Sequence, residues 1–137
     1  MIDARTAPYG ALLLRVVSGA LFIAHALTKL LVFTLPGTMK YFESVGFPGW
    51  LAYVAVVIEL VGGAGLILGI CVRPIAAVLG LELLVIAFGV HWQYGWVFVA
   101  KGGGWEYPMF WAAAMFALAL MGSGAWSIGP FKKKSSG

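Results

Sequence analysis

Four long apolar runs dominate the chain, separated by short segments where glycine, proline and charge gather. The first covers about residues 12–35 and stops at Pro36-Gly37. The second covers about 49–70, with Pro48 placed to suit a first helical turn. The third covers about 74–94, and the fourth about 108–124, where it fades into Gly122-Ser123-Gly124. Each run holds about 17–24 residues, enough for a helix rising about 1.5 Å per residue to cross a hydrocarbon core of about 30 Å. Backbone groups in lipid must bond within their own segment, so the runs predict helices rather than strands. The expected fold is all-α: one integral membrane domain over 1–137, built as a transmembrane four-helix bundle.

The connections carry patterns of their own. Between the first two spans, Met39, Phe42, Val45 and Gly46 share one helical side, while Lys40, Glu43 and Ser44 share another. That predicts a short helix lying at the membrane interface. Between the third and fourth spans, Gly102 to Gly104 predict a flexible turn. Trp92, Trp96, Trp105 and Tyr107 mark the same membrane face with an aromatic belt.

Composition supports the membrane reading. Hydrophobic residues fill 62% of the 137 positions and charged residues 10%, more apolar surface than a soluble domain of this size can hide. The chain is too short for a membrane bundle plus a soluble catalytic domain, so any chemistry belongs inside the bundle or on a partner subunit. The formal net charge of +4 includes Lys132, Lys133 and Lys134, which read as a flank beside anionic lipid; a nucleic-acid partner is not expected. With four spans both termini share a side, and that side carries Arg5, Arg15, Arg73 and the terminal lysines against Lys40 and Lys101 opposite. The positive-inside bias then places both termini in the cytoplasm. A lone Cys71 excludes an intrachain disulfide and any cysteine-pair metal site. No cleavable signal peptide is expected, because the first apolar run is too long and lacks a small-residue cleavage site.

Ionisable groups inside lipid are costly, so those retained point to function. Arg15, Ser18, Phe22, His25 and Lys29 recur at steps of three and four along one helical stripe. Glu59 falls near mid-membrane in the second span, where pairing with Lys29 or His25 would stabilise its charge. The glycines after it (Gly62, Gly63, Gly65 and Gly69) predict close helix packing. Glu82 in the third span is expected to pair with Arg15 in a structural contact, and His91 is expected nearly opposite Glu82 on the same helix. Glu106 can cap the fourth span. By rise per residue, His25 and Lys29 lie about 20–26 Å from the cytoplasmic start of span one, and His91 about 24 Å along span three. Glu59 lies about 15 Å below the outer start of span two. His25, Lys29, Glu59, His91 and Glu106 are therefore expected to converge in the outer leaflet half among Trp92, Tyr107 and other aromatics. A quinone needs such a place: a flat apolar slot, donors for its oxygens and an acid–base pair. The candidate catalytic residues are His25, Lys29 and Glu59. The candidate cofactor-binding residues are His91, Trp92, Glu106 and Tyr107. No metal site is expected, and haem held by His25 and His91 ranks below quinone.

In order and spacing, a set of residues resembles the DoxX family of small four-span membrane proteins. It comprises Arg15 followed by His25-Ala-Leu-Thr-Lys29-Leu30, Tyr41-Phe42-Glu43-Ser44-Val45-Gly46-Phe47-Pro48 and Ile58-Glu59-Leu60-Val61-Gly62-Gly63. Arg73, His91 and Gly104-Trp105-Glu106-Tyr107-Pro108 complete it. The similarity runs from about residue 12 to 129. It implies a four-helix bundle in a prokaryotic inner membrane, associated with redox processes. Ala26 stands where the family usually has glycine after the histidine. Two functions are expected to compete: a quinone-linked redox subunit, and a non-catalytic accessory subunit packed against other membrane proteins.

Overall fold

The computed structural model describes residues 1–129, which form helices and connecting turns without a strand. Helix α1 spans Ala7–Leu27 and continues through a π-helical turn, Thr28–Val32. Helix α2 is the short Leu35–Ser44, α3 spans Leu51–Leu68, and α4 spans Val72–Ile86. A second π-turn, Ala87–His91, and a 3-10 turn, Trp92–Tyr94, prolong α4. Helix α5 covers Glu106–Met121.

Proline and glycine set these limits. Pro8 sits in the first turn of α1, where a missing N–H costs nothing, so the helix begins ahead of the apolar run. Pro36 likewise opens α2, and the Thr34 hydroxyl caps it by accepting from Gly37 N at 3.3 Å. The first span therefore ends at Val32 and not at 35. Gly69, at φ 74°, closes α3.

Among the described residues, three helices are long and apolar enough to cross a membrane: Ala7–Val32, Leu51–Leu68 and Val72–Tyr94. Apolar α5, at 16 residues, is shorter. The main packing unites α1 with α3 and α4 with α5; α3 against α4 joins the two pairs, and α1 touches α5 only lightly. Gly19 and Gly63 make the first pairing possible. A Cβ on either would stand 2.6–2.7 Å from the carbonyl oxygen of the other, so the two backbones touch there. Phe22, Leu66, Leu79, Leu83, Met115 and Leu118 fill the interior. Leu13, Val57, Leu81 and Phe110 point outward, the arrangement suited to a lipid surround.

One end of the molecule is sealed around Arg15, which is 0% exposed. Its Nη1 donates to the carbonyls of Leu66 and Ile67 at 2.9 and 2.8 Å. Its Nη2 donates to Ala125 and Trp126 at 2.6 and 2.9 Å, and its Nε to Ser123 at 2.8 Å. The expected Arg15–Glu82 pair does not form. A guanidinium carries five donors in a fixed fork, and the unbonded carbonyls closing α3 match it better than one carboxylate would. The segment after α5 folds back to supply the others, held by Ala125 N to Pro8 O and Ile128 N to Leu68 O. Arg73 adds two longer bonds to Ala119 and Leu120 carbonyls. Lys132, Lys133 and Lys134 lie outside the described residues.

Candidate functional site

The opposite end is hollow. A cavity of about 740 Å³ opens among α1, α2, α3, α4 and the start of α5. Its walls are mainly apolar and aromatic, with Phe22, Phe42, Phe47 and Trp111 among them. Phe22 and Trp111 stack with ring centres 4.2 Å apart. The Trp111 indole is held from behind by its N–H bond to the Ser18 hydroxyl at 3.3 Å.

A trio of ionisable side chains stands in this apolar wall. Lys29 Nζ donates to both oxygens of Glu59, at 2.9 and 2.8 Å. The Glu59 side chain is only 3% exposed and that of Lys29 17%, so the pair is largely withdrawn from its surroundings. Withdrawn charges persist when paired at short range, and this geometry supplies that. Glu82 lies beside Glu59, within reach of a hydrogen bond if one carboxyl carries a proton. With both ionised, neither oxygen of Glu82 has a donor, although both are buried. Glu82 lines the cavity together with Lys29 and Glu59.

Two of the expected residues sit in π-turns. The first π-turn carries Lys29 and the second ends at His91. Such turns add a residue to a helical turn and recur at functional positions. The second one explains why His91 does not lie opposite Glu82. An added residue rotates everything after it by about 100°, which brings His91 round to the cavity that Glu82 lines. The His91 Nδ1 is 2.8 Å from the Gly103 carbonyl, which anchors the 95–105 loop and leaves the other ring nitrogen for a ligand. His25 is exposed into the cavity mouth, 5.4 Å from the Trp111 ring.

The structure thus gathers His25, Lys29, Glu59, His91 and Tyr107 around one space, and it leaves two expected residues outside. Trp92 stacks on Trp105 at 5.3 Å on the outer surface. Glu106, in the first turn of α5, accepts from the backbone N–H of Phe98 at 3.2 Å and so secures the loop. Both are drawn off by local partners along the 95–105 segment. Glu82, Tyr41 and Trp111 are residues of the cavity wall that sequence periodicity did not assign to it. From sequence, Glu82 falls nearer the cytoplasmic side in a structural pair with Arg15, because its face cannot be assigned without the helix pairing. Tyr41 arrives because α2 folds over the cavity, and partial desolvation there beside Tyr94 raises its pKa above the ordinary tyrosine value, although the residue stays about half exposed at 49%. No group of three or more histidine, cysteine, aspartate or glutamate side chains among the described residues is placed to hold a metal ion.

Comparison with known proteins agrees with this architecture. Residues 10–92 match the family model DoxX. The chain is 32% identical over 130 residues to "Putative oxidoreductase CatD" of Bacillus subtilis (strain 168), covering 93% of this chain and 92% of that protein. It is also 32% identical over 122 residues to an "Uncharacterized protein" of Haemophilus influenzae, covering 88% of this chain and 89% of the relative. No solved structure matches it.

Proposed function

The chain belongs to the DoxX family, and from that premise we propose that it is an integral membrane subunit of a quinone-linked redox system. In this reading the 740 Å³ cavity receives the quinone ring. One observation carries it: a paired Lys29 and Glu59, with Glu82 beside them, stand in an aromatic chamber large enough for a small cyclic ligand. The description of the Bacillus subtilis relative, "Putative oxidoreductase CatD", supports redox chemistry here too.

The residues divide the work. Phe22, Phe42 and Trp111 flank a flat ring. Lys29 has three N–H donors and spends two on Glu59, so one remains for a ring oxygen. His25 and Tyr107 offer further donors around the same space. A bound quinone supplies the capacity to take up electrons together with protons, and carboxyl groups beside it hold and release those protons. Glu59, locked by Lys29, chiefly keeps the ammonium in place.

In our reading α5 completes a fourth crossing. Both termini then lie on the cytoplasmic side of a prokaryotic inner membrane, with the chamber in the outer half. Arg5, Arg15 and Arg73 at the sealed end, against Lys40 and Lys101 at the other, support this orientation.

The test is extraction and titration. Protein purified in mild detergent should carry a quinone identifiable by mass. Added short-chain benzoquinone should quench Trp111 fluorescence saturably, and Lys29→Met should weaken that binding at least about tenfold, as expected for loss of a hydrogen bond from a charged donor. Absence of both copurified quinone and saturable quenching would sink the reading.

A further inference from the structure

We propose that the chamber is built for the hydroxylated, reduced form of its aromatic ligand, with Glu82 as the residue that accepts the ring hydroxyl's hydrogen bond. This rests on the reading of the chamber as a quinone site and names which form it favours.

The argument is a count of donors against acceptors. The trio holds four carboxyl oxygens, each with about two lone-pair sites, and one ammonium with three N–H groups. Lys29 directs two of those donors onto Glu59. Both oxygens of Glu82 stay buried with no donor. A proton shared between Glu82 and Glu59 adds one donor and still leaves acceptors in excess. The imbalance therefore persists in either protonation state. Buried acceptors left without donors are costly, so the best-fitting ligand brings a donor of its own.

A quinone carbonyl brings none; it only accepts, and would set its lone pairs against those of Glu82. A ring hydroxyl does both jobs. It donates to Glu82 and accepts the N–H that Lys29 has left over. The aromatic walls select a ring to carry that hydroxyl, because Phe42, Phe47 and Trp111 offer flat faces rather than polar contacts. Glu82 reaches this position through the packing of α4 on α3, where Leu79, one turn earlier, lies against Gly62.

Calorimetric titration of the detergent-solubilised full chain, kept under argon, with a short-chain hydroquinone and the matching benzoquinone tests the inference. Wild type should bind the hydroquinone more tightly. Glu82→Gln should lose about 10- to 100-fold in hydroquinone affinity, the range for one hydrogen bond to a charged group, with an unchanged circular dichroism spectrum and monodisperse elution as the control for folding. A third titration needs no variant: the dimethyl ether of the hydroquinone, its hydroxyls blocked, should bind wild type no better than the benzoquinone does. Equal wild-type affinity for both forms, an unaltered hydroquinone affinity in Glu82→Gln, or tight binding of the ether would overturn the role of Glu82 and leave the quinone site standing. Binding of neither form to wild type would remove both.

Discussion

The two ends of the molecule each bury charge inside an apolar bundle, and they do so in opposite ways. At the sealed end, Arg15 directs its guanidinium onto five backbone carbonyls of the same chain. Nothing is left over for a ligand. At the hollow end, Lys29 satisfies Glu59, while Glu82 stays buried without a donor beside a 740 Å³ space. A saturated buried cation holds helices and a tail together. A buried carboxyl whose oxygens lack a donor next to a cavity lowers stability, and in the function we propose it is kept for what it binds. The same expensive residue class therefore holds architecture at one end and, in that proposed function, chemistry at the other, and the difference lies in whether the protein supplies every partner.

Breaking the sealed end should have the largest effect. Arg15→Met strands the carbonyls that the guanidinium joins and frees the segment after α5. We expect a loss of more than about 3 kcal/mol, seen as a large fall in melting temperature or loss of monodispersity in detergent. Arg15→Lys should recover only part, because an ammonium cannot span the same fork.

At the hollow end, Lys29→Met leaves Glu59 buried without its cation and should cost about 3 kcal/mol. The pair Lys29→Met with Glu59→Gln should recover most of that loss, since it removes the stranded charge. A double-mutant cycle on melting curves measures the coupling. An additive outcome would mean that the ion pair contributes little.

Glu82→Gln sharpens the contrast by its small size. In ligand-free protein we expect a change of less than about 1 kcal/mol, because an amide can donate to Glu59 as a protonated Glu82 does. A large fall in melting temperature would show that Glu82 belongs to the architecture like Arg15.

The smallest perturbation asks which end faces which compartment. Cys71 is exposed at the turn joining α3 to α4, on the sealed end. In intact cells it should react with a membrane-permeant maleimide and resist an impermeant one. The opposite result would invert the proposed orientation and leave the packing argument intact.

Much of this was legible before any coordinates. The all-helical membrane fold follows from four apolar runs, because lipid permits few alternatives. The short helix between the first two spans followed from the sided pattern of 38–47 and appears as Leu35–Ser44. A carboxylate near mid-membrane needs a cation, which leaves Lys29 or His25 as the partner of Glu59; the structure chooses Lys29. The Arg15–Glu82 pairing failed for a reason no pattern reveals. Backbone carbonyls occur at every residue and leave no mark in the sequence, so Arg15 as a carbonyl clamp was invisible. His91 lines the cavity as expected, but its angle to Glu82 escapes regular 3.6-residue periodicity, which does not anticipate a π-turn. Trp92 and Glu106 were expected in the site from depth, but neighbours in the 95–105 segment claim both.

Sequence by itself determined the solvent, the secondary structure and the shortlist of costly residues, because burial of backbone and charge in lipid is severe enough to constrain them locally. Tertiary structure alone decided which of those residues are satisfied. Two π-turns, the backbone contact at Gly19 and Gly63, and a tail folded over Arg15 set that outcome. Hydrogen-bond saturation depends on atoms brought together from distant parts of the chain, and only their packing shows that Arg15 lacks nothing while Glu82 still lacks a donor.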